Sequence, residues 1–203
     1  MTRYQVVGGV RTRTMRVLWT LEELGLSYDH IDAAPRSDEV RALNPSGKVP
    51  VLVTNGVAIP DSVAIITYLA DAHDALTYPA GTVDRARQDA FVQMVNDEVD
   101  GVLWAAARHS FILPEAHRVP QVKDSLRWEF AQNQQRIAER MTPDGPFVMG
   151  EVMTIADILL SHCMGWAGSA KFDVTEDRLL AHDVMMKARP SFKRALAAGK
   201  STS

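Results

Sequence analysis

The chain predicts an α/β unit, a mixed sheet covered by helices in the order βαβαββα, followed by a unit built only of helices. Three observations carry this expectation. The first 75 residues alternate short apolar runs with stretches of helical periodicity. Thr54-Asn55-Gly56 marks a hairpin between two of those runs. After Leu76 the texture changes, because Thr77 to Gly81 holds Pro79 and Gly81 and every later segment has helical spacing. The expected division is therefore 1–76 and 82–203.

Within the first unit, Tyr4 to Val7 reads as a strand broken by Gly8-Gly9. Thr14 to Leu24 follows as a helix, with Met15, Leu18, Trp19 and Leu21 or Leu24 along one face and Gly25 closing its carboxyl end. Tyr28 to Ala33 is a second strand. Ser37 to Leu43 is a short helix that stops before Asn44-Pro45, since a residue preceding proline is pushed out of the helical region. Val49 to Val53 and Val57 to Ile59 form the hairpin, and Ser62 starts a helix running through His73. The parallel strands of such a sheet require a crossover connection. In the second unit, helices are expected over Thr82 to Phe111, Pro120 to Met141, Thr154 to Gly165, Thr175 to Lys187 and Pro190 to Ala198.

Composition narrows the function classes. The 203 residues are 46% hydrophobic and 23% charged, ordinary globular usage that excludes disorder, collagen and coiled coil. A chain of this length buries about 70% of its unfolded surface and needs no disulfide or metal staple. Charge is balanced in both parts, with 7 basic and 9 acidic groups in residues 1–75 out of totals of 22 and 25, so no nucleic-acid surface is expected. The only cysteine is Cys163, which removes intrachain disulfides and four-cysteine zinc sites and reads as a small buried side chain. The opening residues lack a basic stretch followed by a long apolar run, and no apolar run reaches the 18 or so residues of a membrane span. A soluble, cytoplasmic protein without a membrane anchor is expected. The six histidines have no zinc-binding spacing, and no nucleophile-elbow sequence follows a strand.

Several segments in order and spacing resemble one family: Arg16-Val17-Leu18-Trp19 with Glu22-Glu23-Leu24-Gly25, then Asn44-Pro45-Ser46-Gly47-Lys48-Val49-Pro50-Val51-Leu52, Asp61-Ser62, Met94-Val95-Asn96-Asp97, Thr154-Ile155-Ala156-Asp157 and Ala188-Arg189-Pro190-Ser191-Phe192. Together with the order of elements they are similar to the cytosolic glutathione transferases, in particular the bacterial serine/threonine-type members close to the theta and beta classes. The resemblance implies a thioredoxin-like glutathione-binding domain followed by an all-helical domain that supplies the acceptor pocket.

It also implies residue roles. The proline matching Pro50 is cis in the family, so that Val49 would offer its backbone N–H and C=O to the cysteinyl part of glutathione, with Lys48 beside it. Asp61 and Ser62 would hold the γ-glutamyl end, although Ser62 equally suits a helix N-cap. The catalytic hydroxyl of serine-type members falls at Thr12, with Thr14 the second candidate or simply the cap of the first helix. The tyrosine of other classes falls at Val7, and Tyr4 reads as strand packing. Asp97 matches an aspartate that reaches the other subunit's glutathione in some members; a solvated helix face is the plain alternative. Trp104, Arg108 and Phe111 would line the acceptor pocket, or belong to core or interface. No metal is expected.

The function so implied is a transferase of detoxification, a homodimer that stabilises the glutathione thiolate and conjugates it to a small hydrophobic electrophile. A peroxidase, isomerase or dehalogenase would share every residue named, and a non-catalytic binding module would keep the fold alone. Thr154-Ile155-Ala156-Asp157 is different in kind: the capping-box spacing, with Met153 and Ile158 as a staple, serves folding.

Overall fold

A computed structural model of the chain describes residues 4–199. Two compact units divide it, one drawn from Met1–Ala80 and Met186–Ser203, the other from Gly81–Met185. The contacts thus gather the end of the chain with the sheet, whereas the sequence boundary after Leu76 leaves it with the helices.

The first unit holds β1 (Tyr4–Val7), α1 (Thr14–Glu23), β2 (Tyr28–Ile31), α2 (Asp38–Leu43), β3 (Val51–Thr54), β4 (Val57–Pro60) and α3 (Ser62–Ala72). The sheet order is β2-β1-β3-β4, with β1 parallel to β2 and antiparallel to β3. This is the mixed sheet the element order requires. Asn55 and Gly56 both take positive φ, 50° and 76°, which the tight β3–β4 hairpin demands and which Asn and Gly tolerate. Register puts Val6 opposite Leu52 and Val7 opposite Val51. Because side chains alternate across a strand, Val7 and Val51 share one face, where they pack with Ala33 and with Val40 of α2. Val6 and Leu52 share the other and are fully buried.

α1 is buried from Thr14 through Leu21 on every side, broader than the single stripe its periodicity predicts. The cause is a third neighbour. Besides the sheet and α3, α1 packs against α9 (Pro190–Ala198), with the Trp19 and Phe192 rings 4.8 Å apart at 64°. Glu23, at the end of α1, accepts from Arg189 Nε at 2.7 Å and Nη2 at 2.8 Å, from Trp19 Nε1 at 3.1 Å and from the Ser191 hydroxyl. Gly25 (φ 66°) then closes the helix, as Leu26 N–H returns to Leu21 O at 3.0 Å.

The second unit contains α4 (Val83–Val95), α5 (Val102–Ala107), α6 (Val122–Arg140) and α7 (Ile155–Ser169), followed by α8 (Asp177–Ala188), whose last three residues belong to the first unit. The single helix expected over 82–111 is one helical path interrupted by two wider π-helical turns, Asn96–Gly101 and Arg108–Ile112. α7 is the apolar centre: Ile155, Ile158, Leu159 and Cys163 are all buried. Thr154 and Asp157 form the reciprocal capping box at its start. Among the described residues no helix is long and apolar enough to cross a membrane.

Candidate active site

The connection from β1 to α1 is built around Gly8. Its N–H donates to Ile31 O at 2.9 Å and its C=O accepts from His30 Nε2 at 2.8 Å, so β2 holds both of its backbone groups. Gly8 has φ 134°, and a Cβ there would stand 2.3 Å from Thr14 Oγ1 and 2.8 Å from Val49 Cβ. Only glycine lets the first hydroxyl of α1 and the segment before β3 approach the end of β1 so closely.

Thr12 sits in the turn ahead of α1 and is half-buried. Its hydroxyl donates to Gly9 O at 2.7 Å, lies 2.8 Å from Thr14 Oγ1 and accepts from Thr14 N–H at 3.1 Å. Thr14 is not the N-cap of α1. Arg13 occupies that position without a side-chain cap, while Thr14 is the first helical residue and is fully buried. Of the two candidate hydroxyls, Thr12 therefore stands nearer to solvent.

The Val49–Pro50 peptide is cis, as the resemblance implies. Pro50 directly precedes β3, which begins at Val51 rather than at Val49. Asn44 shapes this loop by donating through Nδ2 to Lys48 O at 2.9 Å; Lys48 is exposed and Val49 half-buried. Asp61, not Ser62, caps α3. Its carboxylate accepts from Val63 N–H at 2.9 Å and Ala64 N–H at 3.1 Å, from a backbone with φ 75°. Ser62 is the first helical residue, buried, with its hydroxyl accepting from the buried Arg16 guanidinium at 3.1 Å. Tyr4 is committed to packing: its phenol bonds His73 Nε2 at 2.9 Å, and burial, followed by the charge and hydrogen bond of Tyr68, raises it above the ordinary tyrosine value.

The first unit thus brings Thr14 and Val49 together at Gly8, holds Thr12 against Thr14 and the Gly9 carbonyl, and ties Ser62 to α1 through Arg16. Asp97, Trp104, Arg108 and Phe111 belong to the helical unit. Asp97 is exposed on the first π-helical turn, at a groove of about 730 Å³ that Met94, Glu98 and Arg136 also line. Trp104 is half-buried in α5, Arg108 is exposed, and Phe111 is 67% exposed on the second π-helical turn.

Three contributors escape the sequence reading: Gly8 as the point of closest approach, His30 as the holder of its carbonyl, and Arg16 as the partner of Ser62. Gly8-Gly9 was a usable signal, since paired glycines at a strand end mark close backbone approach. His30 carries none, being a lone histidine on an edge strand.

The glutathione S-transferase N-terminal domain family matches residues 13–77 of this chain. A glutathione S-transferase of Escherichia coli O157:H7 is 27% identical over 79% of this chain and 78% of its own length. A maleylacetoacetate isomerase of Rhizobium meliloti is 32% identical over 65% of this chain and 63% of its own. Among solved structures, a glutathione transferase of Phanerochaete chrysosporium with oxidized glutathione superposes with a TM-score of 0.84 at 21% identity, covering 98% of this chain and 96% of that one. The sheet unit followed by helices is the glutathione transferase fold. The chain is thus similar to cytosolic glutathione S-transferases along most of its length, and its residues 13–77 match their N-terminal domain.

Proposed function

We propose that the chain is a cytoplasmic glutathione transferase that binds glutathione in its first unit, holds the sulfur as thiolate and directs it at a small hydrophobic electrophile. The observation that carries this reading is the convergence of the Thr14 hydroxyl and Val49 on Gly8 at the start of α1, with the Thr12 hydroxyl 2.8 Å from Thr14 Oγ1. The Val49 backbone would pair with the cysteinyl part, and Lys48, Asp61 and Ser62 would hold the charged ends of the peptide. Thr12 donates to the sulfur.

The magnitudes suffice. A thiol of pKa about 8.5 is only some 3% ionised at pH 7, and lowering it by about two units, roughly 2.7 kcal/mol, makes about three quarters thiolate. One hydroxyl donating to a charged sulfur contributes about 1.5 to 3 kcal/mol, and the positive end of α1 about 0.3 to 1 more. The thiolate then attacks an electrophilic carbon, forming the C–S bond while the leaving group departs with its electron pair. Trp104, Arg108 and Phe111 are the residues we assign to the acceptor, and Asp97 to a contact with glutathione of a second copy in a homodimer.

The relative named maleylacetoacetate isomerase supports a second reading, in which the same thiolate adds reversibly to an activated double bond and is released. Titration with glutathione at neutral pH, followed by thiolate absorbance and by calorimetry, tests the part common to both. Saturable thiolate supports it; binding without thiolate, or no binding, overturns it in favour of a binding module. A panel of electrophiles against isomerisable double bonds then separates transferase from isomerase.

A further inference from the structure

We propose that Thr14 is a positioning residue for the thiolate, acting through Thr12 as the second member of a two-hydroxyl relay; this deepens the glutathione reading and rests on it. The assignment comes from counting protons. Thr12 has one hydroxyl proton, and its bond to Gly9 O uses it, because a carbonyl only accepts. In the 2.8 Å contact between the two hydroxyls Thr14 must therefore be the donor. Thr14 N–H, at 3.1 Å, donates to the same oxygen. Residue 14 thus directs two donors at Thr12 Oγ1. An oxygen that accepts two hydrogen bonds is a stronger donor of its own proton.

Gly9 O is a replaceable acceptor for that proton. It also accepts from Thr12 N–H at 3.1 Å, so when the hydroxyl proton turns toward a sulfur the carbonyl keeps a donor. Thr14 holds the Thr12 oxygen in place during this change, and cannot itself reach the ligand's solvent-exposed side because it is fully buried beneath Gly8. When the thiol ionises, its S–H bond breaks, the electron pair stays on sulfur and the proton leaves to water. Thr12 keeps its O–H bond throughout and only donates along it.

The test is thiolate absorbance across a pH titration of the full-length protein with glutathione, for wild type, Thr14→Val, Thr14→Ser, Thr12→Val and the double variant. Thr12→Val lowers the ratio of thiolate to thiol at neutral pH roughly ten- to hundredfold, the loss of one hydrogen bond to a charged group. Thr14→Val lowers it about two- to fivefold, the weaker effect of a hydrogen bond acting through another. Thr14→Ser restores it. In the Thr12→Val background, adding Thr14→Val changes nothing further, because the relay has lost its second step. Glutathione affinity measured by calorimetry on the acid side, where the thiol stays protonated, is the same for wild type and Thr14→Val.

Wild-type thiolate formation that Thr14→Val leaves untouched overturns the relay and leaves the glutathione reading standing. An additive loss in the double variant also overturns it, since Thr14 then acts on its own. Absence of glutathione binding to the wild type overturns the glutathione reading itself. If Thr14→Val does not fold, Thr14→Ala, which removes the same donor without adding a branched side chain, gives the same decision.

Discussion

At the amino end of α7 and at the amino end of α1, a threonine hydroxyl stands beside the first free N–H groups of a helix, yet the two ends are finished differently. Asp157 is fully buried and accepts from Val148 N–H at 2.7 Å, Thr154 N–H at 2.8 Å, Thr154 Oγ1 at 3.3 Å and His182 Nε2 at 2.9 Å. All of these donors come from the protein, and the carboxylate with the Thr154 hydroxyl, which accepts from Ala156 N–H, finishes the helix end with protein groups. At α1 no acidic residue stands in the first turn, and the hydroxyl of half-buried Thr12 gives its proton to a backbone carbonyl that keeps another donor without it. A closed network specifies a fold; a network with an exchangeable acceptor leaves a proton available for a ligand. On the proposed reading the same side-chain type therefore has two roles, decided by whether its partners are irreplaceable.

The largest effect is expected at the closed end. Asp157→Ala leaves three buried backbone or ring N–H donors without an acceptor and should cost about 3 to 5 kcal/mol, read from the urea midpoint with an unchanged slope. A loss below about 1 kcal/mol would mean that the box is not closed and would erase the contrast with α1.

How much of this contrast was legible depends on sequence separation. Thr154 and Asp157 are three residues apart, so the capping box and its helix were readable directly. The hairpin at Asn55-Gly56 and the stop at Asn44-Pro45 were readable for the same reason, since their physics is confined to neighbouring residues. Thr12 and Thr14 were recognised by position, but which one gives its proton to which acceptor depends on Gly9 and on burial. Ser62 was read as a cap because serine suits that role; Asp61 took it, and buried Arg16, 46 residues away, claimed the serine instead. Farthest from local signals is α9, whose Arg189 meets Glu23 across 166 residues, a pairing that no periodicity encodes.

That pairing predicts a pH dependence at the other end of α1. Burial alone would raise the Glu23 carboxyl, but the hydrogen bonds from Arg189 and Ser191, the Arg189 charge and the Trp19 bond outweigh it, and the group lies below the ordinary glutamate value. A lowered folded value means the unfolded chain takes up the proton first. The stabilisation is fully present above the unfolded value of about 4.3 and is lost as pH falls through the lower folded one. Glu23→Gln should cost about 1.5 to 3 kcal/mol at neutral pH and flatten the acid limb of stability against pH. An acid limb of unchanged slope would show that α9 is held to α1 by the Trp19–Phe192 packing and the Arg194–Glu22 pair without a contribution from Glu23.

Gly8→Ala acts on the open end. The added methyl would meet Thr14 Oγ1 at 2.3 Å and Val49 Cβ at 2.8 Å from a backbone with φ 134°, and neither neighbour is the far end of a flexible chain. The expected cost is about 1 to 3 kcal/mol in thermal or chemical unfolding. Glutathione affinity should fall with it, because the methyl displaces both the relay and the Val49 segment. Unchanged affinity with lowered stability would move the ligand away from this loop.

The smallest effect is also the sharpest comparison, since it deletes the same atom at both helix ends. Thr154→Val removes a buried hydroxyl that accepts from Ala156 N–H at 3.3 Å and should cost roughly 1 to 2 kcal/mol of stability while leaving the thiolate signal of bound glutathione unchanged. Thr12→Val removes a hydroxyl that accepts from both the N–H and the hydroxyl of buried Thr14, so its stability cost should be about 1 kcal/mol, at the low end because the turn itself is half-buried. Its loss falls on the thiolate instead. If both variants lose stability equally and neither changes the thiolate, Thr12 is an ordinary turn hydroxyl, and the amino end of α1 is closed in the same sense as that of α7.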